Sequence, residues 1–206
     1  MNVFSESPQA VAAILAQHFA EATRIIDPTG SIGVFYRDLP EHVKATRGDI
    51  RPEVSPDYIG DFRSIPFADA SFDVSFFDPP YKRGSRNKGT TTDRYAQRYG
   101  VAPNNENAAT KLYYEGIPEL FRVARSGVVI KMQDAADGHT FHDRRYLVTK
   151  RVEELTGLRP HDTVLIHRKE PMSTLTNGRR RFFRQAVSYF VVWKFRSKEP
   201  FRQFRH

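Results

Sequence analysis

The run Asp78-Pro79-Pro80-Tyr81 places three chemical capacities in four residues. Asp78 offers a carboxylate that accepts hydrogen bonds, the carbonyl of Pro79 offers a second acceptor, and the two prolines stiffen the turn that presents both. Tyr81 adds an aromatic face on which a flat ring can stack. The run follows Phe72 to Phe77, whose dense apolar character suits an interior strand of a parallel sheet covered on both faces. Two prolines cannot continue a central ladder, so the strand must end there, with the acceptors at its carboxyl end.

A second candidate set lies upstream. Asp27-Pro28-Thr29-Gly30-Ser31-Ile32-Gly33 follows a short strand expected at Arg24 to Asp27. Small residues at Gly30 and Gly33 allow close approach of a ligand, and helix amides following them would face it. Two more acids, in Gly48-Asp49 and Gly60-Asp61-Phe62, accompany weaker strand candidates at His42 to Thr46 and Asp57 to Phe62. A carboxylate accepts paired hydrogen bonds, which suits hydroxyls or an amine as well as plain solvation in a loop. Asp69 and Asp73 read as turn formers.

These residues need a frame. Val11, Ile14, Leu15, His18 and Phe19 recur at helical spacing within Ser7 to Ala22, which predicts an amphipathic helix. Further helices are expected from Gly33 to about Pro40, from Ala108 to Ala124, and from Arg144 to Leu155, the last closed by Thr156-Gly157. Ser126 to Met132, Thr163 to His167 and Ser188 to Phe195 read as strands. Alternating strands and helices predict an α/β, doubly wound, mostly parallel sheet, with the last two strands antiparallel because no helix clearly separates them. Ligands in such sheets sit outside the carboxyl ends of the strands, where both candidate turns fall.

The expected organisation is a single domain over 1–206, with a polar insertion at 82–110 suited to target recognition and a basic loop at 168–185 between the last two strands. Lys82 and Arg83 open the first segment, and Arg179, Arg180 and Arg181 lie in the second beside Phe182 and Phe183. Cations interleaved with aromatics suit phosphate contacts and stacking, although the two phenylalanines equally suit core packing. Lys131 and Gln133, leaving a strand, suit contact with phosphate or base, or solvation.

Composition narrows the classes. Lysine and arginine number 32 against 24 aspartates and glutamates, a net charge of +8, which fits a polyanionic partner or simple solubility. The chain has no cysteine, which excludes disulfides, thiolate metal sites and thiol nucleophiles. Its histidines show no metal-ligand spacing, so no metal is expected. No apolar run approaches the roughly 18 to 20 residues a membrane span needs, and Met1 to Gln9 lacks a leader pattern, so a cytoplasmic protein without a membrane partner is expected.

The Asp78 to Tyr81 turn resembles motif IV of the S-adenosylmethionine-dependent amino-methyltransferases, which methylate exocyclic amines of nucleic-acid bases. Ile25 to Phe35 resembles their motif I, with Ser31 where the first glycine of a Gly-x-Gly commonly stands and Gly33 matching the second. Lys131-Met132-Gln133-Asp134 is similar to a run in small phage and bacterial DNA methylases of this kind. The resemblance spans about Ile25 to Phe195. It implies a class I, Rossmann-like methyltransferase fold with S-adenosyl-L-methionine as methyl donor, held by Asp27, Pro28, Thr29, Gly30, Gly33, Asp49, Asp61 and Phe62. Asp78, Pro79, Pro80 and Tyr81 would be catalytic, with Lys82, Arg83, Lys131, Gln133, Arg179, Arg180 and Arg181 on the substrate.

Asp rather than Ser at the head of motif IV points within the family to N6 of adenine in DNA. N4 of cytosine and a ribosomal-RNA amine stay open, as does a non-catalytic nucleic-acid binder on the same fold. Methylation at carbon 5 of cytosine needs a cysteine nucleophile and is excluded in its usual form. A nicotinamide oxidoreductase fits poorly, because no Gly-x-Gly-x-x-Gly occurs.

Overall fold

The computed structural model describes residues 3–80, 106–137, 140–167 and 187–195. Strands β1 (Val3–Phe4), β2 (Arg24–Asp27), β3 (Lys44–Asp49), β4 (Tyr58–Ile59), β5 (Phe72–Phe77), β6 (Ala124–Met132), β9 (Asp162–His167) and β10 (Val187–Lys194) form one sheet. Their spatial order is β1-β9-β10-β6-β5-β2-β3-β4. Neighbours β4, β3, β2, β5 and β6 run parallel, and β10 is antiparallel to both β6 and β9. β7 (Ala135–Asp137) and β8 (Thr140–His142) form a separate antiparallel hairpin.

Side chains of successive strand residues leave the sheet on opposite faces, and both faces are covered. Val74, Phe76, Val129 and Phe190 pack with Val11, Ile14 and Leu15 of α1 (Ser7–His18). Phe77, Val128, Ile130, Val191 and Trp193 pack on the other face with Tyr113, Ile117 and Phe121 of α2 (Glu106–Val123) and Val148 and Val152 of α3 (Arg144–Thr156). Every residue of β5 is buried, as its unbroken apolar run requires. Full burial of each large apolar side chain contributes about 1.5–3 kcal/mol, so the centre of the sheet is a rigid base for its strand ends.

One small residue sets the approach of α2 to that base. A Cβ on Gly116 would lie 2.6 Å from the Phe77 ring, so only glycine lets the helix come this close beside the end of β5. Phe77 is further held edge-on by Phe62 at 5.1 Å and Tyr113 at 6.0 Å.

The doubly wound, mostly parallel sheet and the antiparallel β9/β10 pair match the sequence expectation. Several elements differ. The helix expected from Gly33 to Pro40 is a single 3-10 turn, Val34–Tyr36: Ser31 and Gly33 are left-handed, with φ of 46° and 75°, and Pro40 bars extension. α1 stops at His18 rather than Ala22, and the amides of Thr23 and Arg24 are instead taken by the Asp73 carboxylate. β3 begins two residues later than expected and continues to Asp49, while the third candidate shortens to two residues. Helix α2 begins inside the segment assigned to the polar insertion, at Glu106. Strand β1 and the β7/β8 hairpin were not foreseen. No helix among the described residues is long and apolar enough to cross a membrane.

Candidate active site

Parallel strands β2 and β5 are direct neighbours, Ile25 opposite Val74 and Ile26 opposite Ser75, so their carboxyl ends bring Asp27 and Asp78 to the same edge of the sheet. Thr29 stitches them together. Its hydroxyl donates to Asp27 Oδ1 at 2.7 Å and accepts the amide of Asp78 at 2.9 Å, while its own amide donates to Asp27 Oδ1 at 2.8 Å. Tyr36, carried round by the 3-10 turn, donates to Asp27 Oδ2 at 2.6 Å. The two turns singled out in the sequence therefore form one hydrogen-bonded unit.

Asp27 is only 2 % exposed. Burial pushes its carboxyl up to about 6, against the pull of the hydrogen bonds from Tyr36 and Thr29. Burial, with Asp27 beside it, also drives the Tyr36 phenol well above its ordinary value. A carboxylate in this condition favours the arrival of a cation, since a positive group restores the solvation that burial removed.

Asp78 is half-buried, Pro79 buried and Pro80 partly exposed. Lys131 comes from β6 on the other side of β5, and its Nζ lies 3.3 Å from Asp78 Oδ2. It is 4 % exposed, so its ammonium is directed to Asp78 rather than to the surface. Gln133 is partly exposed, and its backbone carbonyl accepts from Arg144 Nη1 at 2.5 Å.

The other two acids have arginine partners two residues on. Asp49 Oδ1 accepts from the amide and Nε of Arg51 at 2.9 and 3.0 Å, and Oδ2 accepts from Nη2 at 2.7 Å. Asp61 repeats the arrangement with Arg63: amide 2.9 Å, Nε 2.9 Å to Oδ1, Nη2 2.6 Å to Oδ2. The Arg63 hydrogen bonds hold the Asp61 carboxyl below the usual range. Phe62, between them in sequence, is buried against Phe77.

The glycine turn is lined by a third arginine. A Cβ on Gly30 would meet Arg47 Cβ at 2.9 Å, and one on Gly33 would meet Arg47 Cδ at 2.9 Å. The glycines thus make room for the Arg47 stem, whose Nη1 donates to the Ser31 carbonyl at 3.3 Å while Nη2 reaches that of Ser55 at 3.1 Å. Arg51 Nη2 donates to the Ser31 hydroxyl at 3.0 Å, so Ser31 at the degenerate glycine position ties the turn to the end of β3. Exposed Ile32, Val34, Ile50 and Ile59 supply apolar surface on the same strand-end loops and on β4.

The structure thus joins Asp27, Thr29, Asp78 and Lys131, and places Gly30, Gly33, Asp49 and Asp61 along the same edge. Tyr81, Lys82, Arg83, Arg179, Arg180 and Arg181 lie outside the described residues. Sequence reasoning missed Tyr36, Arg47, Arg51 and Arg63. The Asp-x-Arg spacing at 49–51 and again at 61–63 is a signal that could have found two of them. Among the described residues no cluster of acids and histidines is arranged to hold a metal ion.

No family model matches the chain, and no curated protein matches its sequence. Solved structures do. A Bacillus halodurans protein provisionally described as a methyltransferase is 11% identical, covering 93% of this chain and 100% of that one, with a TM-score of 0.55. A Pyrococcus horikoshii protein provisionally described as an RNA methyltransferase is 12% identical over 92% of this chain and 85% of that one, with a TM-score of 0.53. A provisionally described DNA modification methylase from Thermus thermophilus, solved with S-adenosyl-L-methionine, is 17% identical over 68% of this chain; the chain spans about half that protein's length, 55%, and the TM-score is 0.44. The Bacillus and Pyrococcus matches, with the strand order above, establish a class I, Rossmann-like methyltransferase fold.

Proposed function

We propose that this chain is an S-adenosylmethionine-dependent methyltransferase acting on an exocyclic amine of a nucleic-acid base, with N6 of adenine in DNA as its substrate. The observation that carries the reading is the Thr29 bridge, which joins the carboxyl-end turn of Asp27 to that of Asp78 at 2.7 and 2.9 Å. A cofactor turn and an amine-accepting turn must be held in fixed register for transfer between them, and this bridge supplies the register.

The donor set suits the cofactor in part. Asp27 favours a cation such as its ammonium group, and Ile32 and Ile50 offer apolar surface to its base. Asp61 is paired at the surface, where exchanging an arginine for a ligand hydroxyl or amine costs little. Asp49 fits less well: of about four acceptor positions on a carboxylate, Arg51 takes three. When bound, S-adenosylmethionine supplies an electrophilic methyl group.

Asp78 and the Pro79 carbonyl would accept the two hydrogens of the amine. Its lone pair is delocalised into the ring, and two acceptors help the nitrogen become tetrahedral and nucleophilic. Tyr81 would stack on the base, which must leave the duplex to reach the turn. Once the nitrogen carries the methyl group it is cationic and releases one proton, for which the Asp78 carboxylate is an acceptor. Catalysis is then alignment and electrostatics, without a covalent intermediate on the chain. The net charge of +8 supports a nucleic-acid partner.

Adenine over cytosine rests on the resemblance, through Asp rather than Ser at position 78. RNA is the second reading, favoured by the fold match to the Pyrococcus protein and by the same tetrapeptide in ribosomal-RNA enzymes of this kind. Asp78→Ala tests the assignment. Turnover should fall about 10²- to 10³-fold while calorimetric affinity for S-adenosylmethionine stays within a few-fold of the parent; turnover near the parent value would refute it.

A further inference from the structure

Lys131 is not placed as a surface cation. Phe77 pairs with Ile130 across β5 and β6, so the next residue on each parallel strand, Asp78 and Lys131, continues the register side by side. Alternation puts both on the α1 face, since Phe76 and Val129 point there and Phe77 and Ile130 point to the α2 face. Lys131 Nζ lies 4.4 Å from the centre of the Phe35 ring and 5.9 Å from that of Phe190, its partner in β10. The backbone carbonyl of Lys131 accepts from Tyr113 Oη at 3.2 Å. Aromatic faces attract a cation and exclude water, and a charge so enclosed must be paired.

We propose that Lys131 is a positioning residue: its ammonium holds the Asp78 carboxylate in place as an acceptor for the incoming amine, and does not bind nucleic-acid phosphate. The inference rests on the reading of Asp78 as that acceptor. The need for such a group is electrostatic. Asp27, Tyr36 and Asp78 crowd one strand edge, joined through Thr29, and each acid disfavours charge on the other. Protonation would turn one Asp78 oxygen into a donor facing an N–H donor, which repels the substrate. Among the described residues Lys131 is a counterweight, 3.3 Å from Oδ2.

Lys131→Met keeps the length and apolar stem while removing the charge. Carbon-detected NMR titration of the Asp78 carboxyl, which needs no activity, should show its midpoint rising by about 1 to 3 pH units in the variant. The acid limb of the kcat profile should rise in parallel, so that kcat falls most below the new midpoint, with KM for nucleic acid within about 2-fold. Lys131→Arg, which keeps the charge, should recover much of both. An unmoved Asp78 midpoint would overturn the proposal. So would a raised KM with unchanged kcat and a salt dependence of binding shallower by about one phosphate contact. If Lys131→Met does not fold, the comparison is made with Lys131→Gln. Failure of the function reading is separate: there Asp78→Ala leaves turnover intact, while the NMR midpoint still reports on the pair.

Discussion

Asp49 with Arg51 and Asp61 with Arg63 are the same object in two settings. Each is an aspartate at the end of a strand or just beyond it, taking the amide, Nε and Nη2 of the arginine two residues on, with bond lengths that agree within 0.1 Å. The first pair is buried, with side chains 8 % exposed on both partners; the second stands in solvent at 39 % and 48 %. Identical geometry therefore carries different energy. Breaking a buried pair leaves a desolvated charge, whereas an exposed pair is screened and exchanges freely. The buried pair is therefore the costlier of the two to open.

Asp27-Pro28-Thr29 is the third member of this series. Its amide bond, Thr29 to Asp27 Oδ1 at 2.8 Å, matches the other two, but a threonine hydroxyl stands where they have a guanidinium. Among the described residues Asp27 has no cation within ion-pair distance, and its carboxyl rises to about 6. Asp61, with its arginine, falls. Burial is what raises Asp27, and with a hydroxyl rather than a guanidinium at the third position no cation of the turn offsets it; at exposed Asp61 the arginine hydrogen bonds prevail.

The largest effect should come from Arg51→Ala, which strands the Asp49 carboxylate. Thermal or denaturant unfolding should show a loss of about 3–5 kcal/mol, partly recovered in the double variant with Asp49→Ala; a loss below about 1 kcal/mol would remove the distinction between the pairs.

Asp27 comes next, through pH. Its native value of about 6 lies above the ordinary 3.8, so between these values the folded chain retains a proton that the unfolded chain has released. Stability should therefore fall as pH rises from about 4 to 6, by up to about 3 kcal/mol from this group, and then level. Asp27→Asn should flatten that window in urea titrations. Since a cationic ligand prefers the ionised acid, affinity for S-adenosylmethionine should increase as pH rises through about 6.

The smallest change is Arg63→Ala, which should shift stability by no more than about 1 kcal/mol. Asp61→Ala should leave stability similarly unmoved while weakening cofactor binding in calorimetry. If both variants bind as tightly as the parent, the exposed turn has no ligand role.

Legibility followed the physics of each residue. The buried strand Phe72 to Phe77 and its Pro79-Pro80 stop were readable because continuous apolar character and a missing amide act locally. Asp27 and Asp78 could be placed at strand ends, but the Thr29 bridge depends on β2 and β5 being neighbours, which no local pattern states. The Gly33 to Pro40 helix failed because left-handed Ser31 and Gly33 outweighed the apolar spacing of Phe35 and Tyr36. That Lys131 is buried has no local sign in the sequence, because burial of a lysine is set by what surrounds it, here Phe35, Phe190 and Asp78. The two Asp-x-Arg turns were legible as spacing, and their opposite burial was not.

The proposed function stands on methyl transfer to a base amine at Asp78. The most direct test incubates the purified protein with labelled S-adenosylmethionine and, in parallel, unmethylated DNA and ribosomal RNA, then digests each to nucleosides and identifies the labelled one by mass spectrometry. Label is expected in N6-methyldeoxyadenosine from DNA, and is lost in Asp78→Ala. Label in N4-methylcytosine or an RNA nucleoside would keep the mechanism and change the substrate, and label in no nucleoside, despite measured cofactor binding, would contradict the claim.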